Sequence, residues 1–137
     1  MAPTKRGKNL AHVPPSSLPK QRIKFSFRYY DTTSDRYCLS CWEREEIKKT
    51  LGRLREIGEK TYSDMCADRE VLHFHEVDWQ RTSETHGFPE SDTRSMSPFQ
   101  FAVLGVNHQR ARVFGALSDD TFYIVWFDKD HSIYKSR

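Results

Sequence analysis

Three runs rich in aromatic and β-branched residues close the sequence: Phe99–Leu104, Arg110–Leu117 and Thr121–Asp128. Such runs fit a pleated, half-buried surface and read as strands. Ser118-Asp119-Asp120-Thr121 between the last two has the chemistry of a tight hairpin. Phe122 to Phe127 is apolar on both faces, which marks an interior strand covered by the helix on one side. The C-terminal part of the chain therefore predicts an antiparallel three-stranded meander.

Upstream, Ile23, Phe25, Phe27 and Tyr29 alternate with Lys24, Ser26, Arg28 and Tyr30. Period-two alternation predicts a strand with one buried face and one wet, basic face. Asp31 to Asp35 reads as a turn, from which Arg36–Leu39 can pair back as the second arm of an N-terminal hairpin. A helix is expected from about Trp42 to Ile57, because Ile47, Leu51, Leu54 and Ile57 form one apolar stripe. Its acidic residues come first and its basic ones later, in the sense the helix dipole favours, and Gly58 supplies a stop. Thr61 to Cys66 suggests a second, short helix capped by Thr61 or Ser63. The fold class is thus α+β: an N-terminal strand or hairpin, one or two helices, and an antiparallel sheet ending in the meander.

With 137 residues the chain suits one domain, and its 13% aromatic content can supply a modest core although 30% of residues are charged. Residues 1–21 hold four prolines and no periodic apolar pattern, so they read as an extended basic tail ahead of a domain spanning 22–137. No apolar run is long enough to span a membrane and none follows the basic start. No membrane association and a cytoplasmic location are the expectation. Residues 1–24 carry six Lys or Arg and no acidic residue, so the chain's net +3 leaves −3 on the remainder. A basic leader of this kind suits phosphate contact or serves as a solubilising tail.

The last hairpin carries a geometric expectation. With Asp119 and Asp120 as loop residues, Phe114 faces Val125, Arg112 faces Phe127 and Arg110 faces Lys129. Arg110 and Arg112 then gather with Asp128, Lys129, His131 and Tyr134 at the open end. Guanidinium groups can neutralise a phosphodiester, and a carboxylate or imidazole can take a proton from a 2′-hydroxyl. His131 is the natural acid–base group, and Tyr134 can stack on a base or donate a proton. Lys24 and Arg28 on the wet strand face, with Lys129, are candidate RNA contacts. The plainer account has Arg110 and Arg112 in surface ion pairs with Asp128 and Asp130, and His131 in an ordinary loop.

Residues 112–127, RVFGALSDDTFYIVWF, resemble the central hairpin of RelE/HigB-type toxins of bacterial toxin–antitoxin pairs, in a likeness covering about residues 99–137. The resemblance implies a small endoribonuclease that cuts mRNA, often on the ribosome, with an antitoxin as protein partner and no cofactor. It places phosphate binding on Arg110 and Arg112, and acid–base or stacking roles on His131 and Tyr134. The chain departs from that pattern in its leading strand, its acidic body and the long segment 68–97.

Two further features stay open. Cys38-Leu39-Ser40-Cys41 has zinc-clip spacing, for which Cys66, His73 and His75 are the nearest supply of further ligands. Buried thiol packing is the simpler account, and no βαβ pattern surrounds the pair as redox catalysis would ask. Segment 68–97 contains His73-Phe74-His75-Glu76-Val77-Asp78-Trp79, whose His-x-His with Asp78 or His86 has divalent-metal character. Trp79 and Phe88 equally suit a protein-docking module, or an anchor tucked under the core.

Overall fold

A computed structural model describes residues 21–103 and 111–134. Its strands are β1 (Lys24–Ser26), β2 (His75–Glu76), β3 (Ser97–Ala102), β4 (Arg112–Ser118) and β5 (Thr121–Asp128), and its helices are α1 (Arg44–Ile57), α2 (Tyr62–Ala67) and α3 (Arg69–Leu72). The expected α+β class and the C-terminal run of strands are both present. The five strands form one sheet in the order β1-β5-β4-β3-β2. Among the described residues only β1 lies parallel to its neighbour, which makes the sheet mixed.

Ser118 pairs with Thr121 across the two-residue turn, where Asp119 takes a left-handed conformation (φ 55) that a short polar side chain tolerates. From there the expected pairing holds as far as Gly115 opposite Ile124 and then slips by one at a bulge. Phe114 stands opposite Trp126, not Val125, and Arg112 opposite Asp128, not Phe127. Val125 is the extra residue, so Val125 and Trp126 both serve the same side of the sheet. Gly115 permits this, because a Cβ there would run into the Phe122 ring and the Tyr123 carbonyl.

The sheet divides the core in two. Phe101, Val113, Phe122, Ile124 and Phe127 pack beneath Leu54 and Ile57 of α1, Met65 of α2 and Leu72 of α3. On the opposite face Phe114, Ala116, Val125 and Trp126 are covered by Tyr37, Val77, Phe88 and Ile133, which come from irregular chain. Most of segment 68–97 is therefore a covering layer. Trp79 and Phe88 meet edge to face at 4.9 Å, and Phe88 lies 5.1 Å from Trp126. The residues with partner-docking character are spent on this second core.

Four local expectations are revised. The N-terminal strand ends at Ser26, and Arg36–Leu39 forms no return strand. Past the bulge the Val125 carbonyl accepts the Asp31 N–H and the Phe127 N–H donates to the Tyr37 carbonyl, so irregular chain takes up the edge of β5. The Trp126 indole N–H donates to Asp31 Oδ2 at 2.8 Å and holds that chain in place. Phe27, expected on the buried face, is 54% exposed. In α1 the inward position is Thr50, fully buried, while Leu51 is 55% exposed. The helix starts at Arg44, two residues later than expected, behind a capping box of Glu43 and Glu46. Of the expected tail, residues 1–21, all but Gln21 lie outside the described residues.

Candidate functional site

The open end of the β4–β5 hairpin is built around Asp128. Its Oδ1 accepts the Ser132 N–H at 2.9 Å and lies 3.0 Å from the Ser132 hydroxyl, while Oδ2 accepts the Ile133 N–H at 2.8 Å. The carboxylate thus folds residues 129–133 back over the end of the strand. His131 sits in that turn in the left-handed region, φ 54. Ile133 then plugs the second core, and its carbonyl accepts the Ser83 N–H at 2.7 Å. Tyr134 follows as a bridge to Thr82, and its hydroxyl accepts the Asp78 N–H at 2.9 Å.

Tyr134 is the centre of a ring cluster. Its centroid is 6.2 Å from His131, 6.0 Å from His75 and 6.3 Å from Phe114. His75 arrives from the sheet edge, where β2 pairs it with Gln100 of β3. Gln100 is buried, and its Nε2 lies 2.8 Å from His75 Nε2, while His75 Nδ1 is 3.2 Å from the Glu76 carbonyl. In that arrangement the amide donates to a neutral imidazole. Gln100 Oε1 is buried with no hydrogen-bond partner among the described residues.

Arg112 lies under this cluster, 6% exposed, opposite Asp128. Burial draws its pKa down and the Asp128 charge opposes that. Burial also lowers the His131 pKa below its ordinary value, and the Arg112 charge adds to the effect, with smaller contributions from His73 and His75. Asp128 pulls the other way. The result is a half-exposed imidazole that stays neutral near pH 7.

Of the residues expected at the site, the structure brings together Arg112, Asp128, His131 and Tyr134; Arg110 lies outside the described residues. Arg112 and Asp128 are interior groups, not a surface clamp and a solvent-facing base. Lys129 turns to α1, with Nζ 2.9 Å from Glu46 Oε1. Lys24 pairs with Asp120 at 3.4 Å, at the other end of β5, roughly 24 Å from Asp128 at the usual rise per strand residue. Arg28 lies over the Tyr29 ring at 5.5 Å. The three basic candidates form no common patch. His73 caps α3 in a left-handed conformation, and Cys38 and Cys41 flank a single turn. Among the described residues no three His, Cys, Asp or Glu side chains are placed to hold a metal ion together.

His75 and Gln100 are the members that sequence reasoning missed as acid–base partners. His75 was legible only as a metal-ligand candidate, since nothing in the chain's pattern pairs residue 75 with residue 100. No family model, no curated protein and no solved structure matches this chain.

Proposed function

We propose that the protein is an RNA-binding endoribonuclease that cleaves by general acid–base chemistry at the Tyr134 cluster, with no metal required. The observation that carries this reading is the placement of two imidazoles, His131 and His75, about one tyrosine ring at 6.2 and 6.0 Å. His131, held neutral, takes the proton from a ribose 2′-hydroxyl, and that oxygen attacks the adjacent phosphorus. The bond from phosphorus to the 5′-oxygen breaks, and protonated His75 gives its proton to the leaving oxygen. The products are a 2′,3′-cyclic phosphate and a 5′-hydroxyl. Tyr134 offers a stacking surface for a base, and Arg112 supplies positive potential from below the cluster. On this reading mRNA, free or on the ribosome, is the substrate, and a neutralising protein partner is the natural regulator.

The test is cleavage of end-labelled single-stranded RNA by the purified protein with chelator present. Cyclic-phosphate ends are expected, with no cutting where the 2′-oxygen is methylated. His131→Ala and His75→Ala should each lower the rate by about 100-fold or more while leaving the melting temperature near wild type. Intact RNA at micromolar protein, or variants that cut at the wild-type rate, would overturn the reading.

A further inference from the structure

Cys38 and Cys41 lie on the first core's side of the fold and take no part in the Tyr134 cluster. Cys38 is the residue ahead of a one-turn 3₁₀ helix, Leu39–Cys41, and its Sγ accepts the Ser40 N–H at 3.4 Å. The Ser40 hydroxyl is 3.2 Å from the same sulfur, and the Tyr30 hydroxyl is a third hydrogen-bonding neighbour. The Tyr30 ring is fixed by Phe127 at 5.9 Å. Burial, then Cys38, pushes the Tyr30 pKa to about 12, so its hydroxyl keeps a proton to donate. All three neighbours can donate to a sulfur that has lost its own proton. Hydrogen bonds from Ser40 and Tyr30 draw the Cys38 pKa below the usual thiol value.

Cys41 is exposed and folds back over the same turn, its Sγ 3.4 Å from the Cys38 carbonyl. Cys38 opens that turn in an extended conformation and Cys41 closes it; the first and fourth residues of a tight turn keep their Cα atoms within about 7 Å, close to the separation a disulfide accepts. We propose that Cys38 and Cys41 are a reversible thiol–disulfide pair, with Cys38 as attacking thiolate and small disulfides of the glutathione class as oxidant.

The chemistry balances without a metal or an electron carrier. The Cys38 thiolate attacks one sulfur of the small disulfide, whose S–S bond breaks and releases one thiolate. Cys41 gives its proton to solvent and attacks the Cys38 sulfur of the mixed disulfide. The second small thiolate leaves, so two protein thiols are oxidised and one small disulfide is reduced to two thiols. Cys66 is the internal reference, a half-buried thiol packed against the first core. The proposal is a modification site on this turn and is independent of the ribonuclease reading.

The whole protein is equilibrated in buffers running from reduced to oxidised glutathione, quenched in acid and alkylated. Trypsin releases residues 37–44 as one peptide holding both cysteines. That peptide should lose both alkylation sites, as the internal disulfide, under conditions that leave Cys66 alkylated. Cys41→Ser should halt at the Cys38–glutathione mixed disulfide, and native Cys38 should react about tenfold faster than Cys38 in the urea-unfolded chain. Three results would each overturn the pair: thiols still alkylatable at the oxidising end, glutathione spread evenly over Cys38 and Cys66 in Cys41→Ser, or a native rate at or below the unfolded one.

Discussion

Arg112 and Asp128 face each other across β4 and β5, and both are buried, at 6% and 1% exposure. The Asp128 charge offsets the cost of burying the Arg112 guanidinium, so removing the carboxylate leaves that charge less compensated. Asp128 also accepts the two N–H groups that close the 129–133 turn. Asp128→Ala should therefore destabilise the protein by about 3–5 kcal/mol, read as a lower urea midpoint. A loss below about 1 kcal/mol would show that the turn and Arg112 find other partners on the same scale. Asp128 also closes the turn that carries His131, so on the proposed ribonuclease reading this variant should lose RNA cleavage as well, through misplacement of the proposed base.

His131 gives the fold a specific pH dependence. Its folded pKa lies below its ordinary value of 6.5, because burial and Arg112 disfavour the imidazolium. Between those two values the unfolded chain binds more protons than the folded one, so stability rises with pH through that window and is flat above it. Acidification below about pH 6.5 should thus lower wild-type stability more steeply than that of His131→Gln. Parallel urea midpoints for the two proteins between pH 5 and 8 would show that the environment of His131 is as open as that of the unfolded chain.

The legibility of the chain divides along the range of its interactions. Strands β3 to β5 were readable because residues 112–128 form a local hairpin whose turn and alternation sit within a few positions of each other. The failure at Gly115 is also local, but period-two reasoning assigns every residue a partner and has no place for the unpaired Val125. That single insertion moved Arg112 from Phe127 to Asp128 and sent Trp126 to the same face as Val125. The N-terminal hairpin was misread for a longer-range reason. The groups that satisfy residues 31–37 are the Val125 carbonyl, the Phe127 N–H and the Trp126 indole, nearly a hundred positions away. The site shows the same divide: His131 and Tyr134 stood out beside the hairpin, whereas His75 joins them only through β2, a two-residue edge strand with no periodic signal.

The exchange of Leu51 for Thr50 on the inner side of α1 supplies the sharpest stability test. Thr50 is fully buried, and its hydroxyl has no hydrogen-bond partner. A polar group taken out of water without a partner costs about 1–3 kcal/mol, and valine replaces threonine with nearly the same shape. The β-branched stiffness in the helix is common to both residues, so it does not offset the gain. Thr50→Val should raise stability by about 1–2 kcal/mol in urea unfolding, with the m-value unchanged. Leu51→Ala, at a position 55% exposed, should change it by less than about 1 kcal/mol. A loss of about 2 kcal/mol or more on Leu51→Ala, with no gain from Thr50→Val, would mean that α1 is rotated about its axis, with the leucine stripe turned inward as the apolar spacing alone suggests.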